Sequence, residues 1–321
     1  MTTAVITALH GAARAAAHPT PGTRDCRACA PAEAVLADRD DGTVVRHGAA
    51  VAKAHAPGTD PAGHRARLAV AAHPRLAGIL LPPLPLGVRE AAGRPVTAWP
   101  YGVPVDPADP DAAPWEAAAT LLARLHSVGT GALPGPLPPM RGPLKAARAL
   151  ARMRAAGEHP AASATVERAW GSLPTWARGE AAPLRGGTLC HGDLHLGQLV
   201  RHPAPAGPWL LIDVDDLGIG DPGWDLARPA AWYLAGLLAP EIWQRFLGAY
   251  TAAGGPAVDP GGDPWRRLDV PARALTVQTA ALSVVRAAAE RREPDEVDRA
   301  MIDACARIAR LPPELETRAP S

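Results

Sequence analysis

Between Cys190 and Val200 the chain reads CHGDLHLGQLV, with two histidines, an aspartate and a glutamine set among Leu194, Leu196, Leu199 and Val200. A buried strand would reject that many polar groups, and a solvated loop would not need the leucines. Downstream come RHPAPAGP and then WLLIDVDDLGIGDPGWDLA. The apolar runs Gln198–Val200 and Trp209–Ile212 flank a turn rich in proline and glycine, the pattern of a β-hairpin with a longer loop. Pairing those strands brings Gln198 towards Asp213, with Asp193 on the loop entering the first strand at the same end. The leucines and the valine then fix the strand, and the polar groups are aimed from its edge. Side-chain oxygens from Gln198 and Asp213 suit Mg²⁺, a hard cation usually held by one or two carboxylates plus substrate phosphates. A carboxylate off the metal, Asp193, can accept a hydroxyl proton. With a lysine on a distant strand against nucleotide phosphates, this is the set of parts that phosphoryl transfer to an alcohol requires.

Lys53 is the lysine for that role. Of 33 basic residues only Lys53 and Lys145 are lysines, in a chain rich in alanine, proline, glycine and arginine. A lysine retained against such a bias marks a place where a compact ammonium is wanted. Lys145 has no such context and reads as a surface residue.

The elements that must position these groups follow from periodicity. Residues 1–20 read as a helix. β-Branched Val35, Val44, Val45 and Val51 and the Asp41-Gly42 turn signal predict three strands, with Lys53 on the third. Asp60 and Pro61 predict the N-cap and first position of a helix. Two more strands follow, turning near Ala92-Gly93, and a Pro/Gly-rich connector runs from Trp99 to Pro110. Beyond it the pattern is helical. Ala118, Leu121, Leu122 and Leu125 share one face and Gly129 stops the helix. Further helices are predicted over 143–156, 162–178, 229–237, 240–252, 271–292 and 295–310, the last with an apolar stripe of Val297, Met301, Cys305 and Ile308. The division is a β-rich lobe over 1–98, a hinge over 99–110 and a helical lobe over 111–321.

HGDLHLGQ followed by IDVDD and GDPGWDLA resembles the catalytic loop and metal motif of the aminoglycoside phosphotransferase family, which also includes choline-, homoserine- and maltose-phosphorylating enzymes. The specificity lies in residues 189–228, and the layout extends from about Val35 to Leu311. The resemblance implies an α+β, bilobal protein-kinase-like fold and an ATP- and Mg²⁺-dependent transfer to a small-molecule hydroxyl. It makes Asp193 the catalytic base, Gln198 and Asp213 the metal ligands and Lys53 the phosphate ligand. His191 braces the loop, Asp225 accepts hydrogen bonds from its backbone, and Asp215 is a second metal or substrate contact. The hinge from Ala98 to Gly102 offers backbone groups to adenine, with Trp99 and Tyr101 placed to stack on it.

The chain departs from that pattern in three ways. The metal position is usually asparagine, and Gln198 adds a methylene; HLGQ resembles maltose-phosphorylating members. No glycine-rich loop covers the phosphates. The helix after Lys53 has no acid beyond Asp60, so the lysine's partner is another carboxylate, such as Glu33 or Glu90, or it has none. A catalytically weak or inactive nucleotide-binding protein on the same fold is therefore the second reading. A metallophosphatase is not supported, since the upstream DxH and downstream GNH elements are missing.

Each residue also has a plainer role. Asp221 and Asp225 are of the type that caps a helix, His195 is a packed or loop-bracing histidine, and Trp99 and Tyr101 suit a core. Asp295, Glu296 and Asp298 suit a helix N-terminus, or would attract a cationic substrate. Cys26 and Cys29 form one CxxC with no second pair at zinc spacing, so no metal or redox role is expected there. The formal charge of +1 gives no field for nucleic acid or anionic lipid. No apolar run reaches membrane-spanning length, and the sparse cysteines fit a reduced, cytoplasmic protein.

Overall fold

The computed structural model describes residues 2–20, 29, 33–39, 41–182 and 186–311. Cys26 lies outside the described residues. In chain order the first elements are α1 (Thr2–Ala17), β1 (Ala34–Arg39), β2 (Gly42–His47), β3 (Ala50–His55), α2 (Pro61–Ala71), β4 (Leu84–Ala91), β5 (Arg94–Pro100) and β6 (Val103–Pro104). Then come α3 (Trp115–His126), α4 (Gly142–Ala156), α5 (Pro160–Gly171), β7 (Thr188–Cys190), β8 (Leu199–Arg201), β9 (Trp209–Leu211) and β10 (Gly218–Gly220). The helices α6 (Gly223–Leu234), α7 (Pro240–Ala252), α8 (Trp265–Ala289) and α9 (Glu296–Ile308) follow. Two compact units result. One comprises Met1–Ala113, Ala132–Leu137 and Gly197–Asp215; the other comprises Pro114–Gly131, Pro138–Leu196 and Asp216–Ser321.

The first unit is built on an antiparallel sheet in the order β1-β2-β3-β5-β4. Ala52 and Ala54 of β3, with Val45 and Val96, pack on Val5, Leu9, Ala12 and Ala13 of α1. Strand alternation then turns Val51, Lys53 and His55 to the opposite face. The predicted turn between β4 and β5 has positive φ at Ala92 and Gly93, as a tight hairpin requires. Asp60 caps α2, its carboxylate accepting from the Ala62 and Gly63 amides. The hairpin of β8 and β9 pairs Leu199 with Leu211 and Val200 with Leu210. It belongs to this unit, not to the helical one, because β6 pairs with β8 and Leu81, Val200 and Leu210 share one small core.

The core of the second unit gathers Leu150 and Met153 of α4, Val277 and Val284 of α8, and Met301 and Cys305 of α9. Two predicted helix starts are corrected. The sequence places Pro229 and Pro271 at first positions, but α6 begins at Gly223 and α8 at Trp265, with each proline inside. A proline here removes a single intrahelical bond, and packing of α6 against α8 outweighs that loss. The predicted 162–178 helix ends at Gly171. Met301, Cys305 and Ile308 are buried as the stripe requires, but Val297 in the first turn is 49% exposed, and the apolar part of the buried face begins at Met301.

Asp295 and Asp298 form a capping box at the start of α9. Asp298 is fully buried and takes Arg286 Nη2 at 2.9 Å and Arg292 Nη1 at 2.7 Å. Both acids hold a helix start, and Asp298 is committed within the fold. Among the described residues no helix is long and apolar enough to cross a membrane.

Candidate active site

In the first unit, Lys53 donates to Asp213 Oδ1 at 2.7 Å and lies 3.0 Å from Asp215 Oδ2. The lysine's acidic partners, expected at Glu33 or Glu90 or nowhere, instead come from the 213–215 segment. Glu33 instead pairs with His10 at 2.8 Å. Burial alone would lower the Lys53 pKa, but the Asp213 and Asp215 charges outweigh it and raise it above the ordinary lysine value. Asp215 also contacts His55 Nδ1 at 2.8 Å. Burial works against its charge, yet Lys53 and His55 hold its carboxyl well below the usual range. On α2 the residue facing this group is His64, its ring 4.3 Å from that of His55. Burial, then His55, pushes the His64 pKa down to about 4, so it is neutral at pH 7.

The hairpin register delivers Gln198 to the same place. Ile212 donates to the Gln198 carbonyl at 2.9 Å, and Gln198 Nε2 lies 3.5 Å from Asp213 Oδ2. Asp213 takes φ +62°, a left-handed conformation that aspartate tolerates better than most residues. Gln198 and Asp213, separated by a whole hairpin in sequence, thus meet as two oxygen-bearing side chains beside Lys53.

At the end of β5, Trp99 is buried and its indole N–H donates to Thr97 Oγ1 at 2.9 Å. Its polar edge is therefore engaged within the sheet. The Tyr101 ring is covered on one face by the Arg46 guanidinium, 3.4 Å from the centroid. The Tyr101 amide donates to Ala49 at 2.7 Å and its carbonyl lies 3.1 Å from His202 Nδ1.

In the second unit, β7 pairs with β10 and releases the chain at His191-Gly192-Asp193. Gly192 has φ +84°, and a Cβ there would run into the Asp216 backbone oxygen; glycine is required on both counts. Asp225, buried in the first turn of α6, accepts from the His191 amide at 2.6 Å and the Gly192 amide at 2.7 Å. His126 Nε2 is 2.9 Å from the same carboxylate, and His126 Nδ1 is 2.8 Å from the Tyr250 hydroxyl. The Ala257 amide donates to that hydroxyl at 3.0 Å. With its proton on Nε2, the imidazole donates to Asp225 and accepts from the hydroxyl at Nδ1. Burial opposes the Asp225 charge, but the His126 hydrogen bond and the Gly192 amide hold its carboxyl below the ordinary range. His191 is fully buried beside this network, and His195 is half-buried on the same loop. Asp221 accepts from the Gly223 amide at 2.9 Å, at the start of α6.

Asp193 is held from two sides. Arg228 Nη2 meets Oδ1 at 2.7 Å, and Lys145 Nζ meets Oδ2 at 2.7 Å. Lys145 also bonds Asp216 at 2.7 Å, and Arg141 joins it there. Burial would raise the Asp193 pKa, but Lys145 and Arg228 keep the carboxyl far below the usual range. A cleft beside Asp193 is lined by Lys145, Trp224, Arg228, Leu275 and Gln278.

Lys145 is thus no surface residue, which corrects the sequence reading; its rarity carried the same signal as that of Lys53. Arg228 was missed as well. Its place three residues after Asp225 puts both on one side of α6, a signal legible only once α6 is known to start before Pro229.

The phosphotransferase enzyme family model matches residues 32–270. Among solved structures, a choline/ethanolamine kinase family protein from Mesorhizobium loti is 18% identical with a TM-score of 0.53, over 94% of this chain and 99% of that one. A choline kinase from Cryptosporidium parvum is 10% identical with a TM-score of 0.58, over 93% and 92%. A spectinomycin phosphotransferase is 13% identical with a TM-score of 0.56, over 86% and 92%. At such identities the likeness is one of fold, the mixed α/β fold of the protein-kinase-like small-molecule kinases. No curated protein matches the chain. A family match running across most of the sequence, over the strands that carry Lys53 and the loops that carry Asp193 and Asp213, makes this chain a member of the phosphotransferase enzyme family.

Proposed function

We propose that this protein transfers the γ-phosphoryl group of ATP to a hydroxyl of a small molecule, an aminoglycoside, sugar or amino alcohol, with Mg²⁺ as the metal. The observation that carries the reading is the convergence of Lys53, Asp213 and Gln198 in a chain of this family. The spectinomycin phosphotransferase was solved with ADP and spectinomycin, which supports a nucleotide and a hydroxylated acceptor for its relatives of like fold.

The donor set fits a hard cation. Asp213 Oδ2 and the Gln198 amide stand 3.5 Å apart; a carboxylate and an amide oxygen are what Mg²⁺ takes alongside phosphates. The amide presents oxygen or nitrogen by rotation about one bond, so the added methylene of glutamine does not remove the ligand. The metal, when bound, neutralises charge on the β- and γ-phosphates. Lys53 binds those phosphates, and Asp213 and Asp215 keep its ammonium charged and aimed. Adenine falls to the backbone of residues 98–102, beside Trp99 and Tyr101.

Asp193 accepts the acceptor's hydroxyl proton as its oxygen bonds to the γ-phosphorus and the bond to the β-bridging oxygen breaks, releasing ADP. Held ionised by Lys145 and Arg228, Asp193 is a weak base. A loose phosphoryl-transfer transition state places little demand on base strength, so its main work is orienting the hydroxyl. Asp225 supports this by fixing the amides of His191 and Gly192. The reading of a catalytically weak or inactive nucleotide-binding protein rested on a Lys53 without a partner and on glutamine at the metal position; the carboxylates at 2.7 and 3.0 Å take the first ground away, and the amide oxygen that Gln198 keeps weakens the second.

The test is acceptor-dependent ADP release with Mg-ATP across aminoglycosides, sugars and amino alcohols, with Asp193→Asn as control. Release on one acceptor class, lost in the variant, is expected. ATP binding with no acceptor-dependent release on any class, or release indifferent to Asp193, would overturn the reading.

A further inference from the structure

Away from the site just described, three side chains of the first unit converge. His18 follows the end of α1, Cys29 precedes β1, and His47 ends β2. One potential ligand atom from each lies within 4.8 Å of the other two, and His18 Nε2 is 3.4 Å from Cys29 Sγ. Tetrahedral zinc, with bonds of about 2.3 Å to sulfur and about 2.0 Å to nitrogen, sets such a pair about 3.5 Å apart.

His47 points independently to a ligand. It is 2% exposed, and among the described residues neither ring nitrogen has a hydrogen-bond partner. The Glu33 carboxylate, 3.6 Å from Nδ1, is an acid beside it but beyond hydrogen-bond reach. A buried imidazole with both nitrogens unsatisfied is costly unless something binds it. A metal ion supplies that partner at one ring nitrogen. The backbone also makes room: Gly48 has φ +57°, and a Cβ there would stand 2.7 Å from Cys29 Sγ. Glycine after His47 lets the thiol approach.

We propose that His18, Cys29 and His47 form a zinc-class metal site that ties the end of α1 to the β2–β3 turn. One thiolate and two imidazoles are borderline-soft donors, matched to Zn²⁺ rather than Mg²⁺. The sequence reading looked for a second cysteine pair and found none; the fold supplies histidines from distant positions instead. The site is separate from the Gln198–Asp213 pair in both residues and donor type.

The test uses the full chain, freed of metal by chelation and titrated with Zn²⁺ or Co²⁺. One equivalent bound, a thiolate-to-cobalt charge-transfer absorption and a raised melting temperature with Zn²⁺ are expected. Cys29→Ser should abolish the absorption and weaken Zn²⁺ at least tenfold. His18→Gln, at a partly exposed position, should weaken Zn²⁺ while leaving the metal-free melting temperature unchanged, which separates ligand loss from misfolding. No stoichiometric Zn²⁺ in the wild-type chain, or equal binding by both variants, would overturn the proposal.

Discussion

Asp225→Ala tests the reasoning about the loop that carries Asp193. The carboxylate it removes is buried and serves three donors: the amides of His191 and Gly192 at 2.6 and 2.7 Å and His126 Nε2 at 2.9 Å. Each buried donor left unsatisfied costs about 1–3 kcal/mol. Two terms offset part of that sum: the charge no longer has to be buried, and the space vacated is polar enough to admit a water. The net loss should be about 4 kcal/mol, in the range for breaking a buried charged pair. For a unit of this size that is a fall of roughly 10 °C in melting temperature. Asp225→Asn, which keeps one acceptor but turns an N–H toward donors, should lose about half as much. His126→Ala should add little to Asp225→Ala, because the two share one network. Calorimetry and urea unfolding of the three variants measure this. An Asp225→Ala chain melting within about 2 °C of wild type, or full additivity with His126→Ala, would refute the claim that Asp225 fastens the loop.

Other outcomes follow from the same geometry. Asp193→Asn should lower kcat by about 10²–10⁴-fold with ATP binding unchanged, whereas Lys53→Met should weaken ATP binding as well; steady-state kinetics and nucleotide titration separate them. Gly192→Ala should destabilise by about 2 kcal/mol or more, since it meets both a positive φ and the Asp216 backbone; urea unfolding reads this. The Asp298 carboxyl is opposed by burial but held down to about 2 by Ser283 and Arg292. Its folded pKa lies below the unfolded one, so its contribution of about 2 kcal/mol is present above pH 4 and lost as pH falls towards 2. Unfolding at several pH values should show that slope in wild type and not in Asp298→Asn.

Local chemistry made much of this protein legible in one dimension. β-Branched Val35, Val44, Val45 and Val51 with the Asp41-Gly42 turn located the strands, Asp60-Pro61 located a helix start, and the two apolar runs around Pro203 and Pro205 fixed a hairpin. From that hairpin alone the meeting of Gln198 with Asp213 follows, because strand pairing turns a sequence separation into a definite distance. Helix starts were less legible at Pro229 and Pro271, where packing of α6 against α8 overrode the local preference of proline.

Tertiary structure alone decided who partners whom at long range. Lys53 finds its acids at Asp213 and Asp215, and Asp193 is clamped by Lys145 and Arg228. His47 is left facing Cys29 and His18 across a turn. These pairings join residues from different elements, so no window of sequence contains them. Their strength comes from exclusion of water, and burial belongs to the folded chain as a whole rather than to any residue in it.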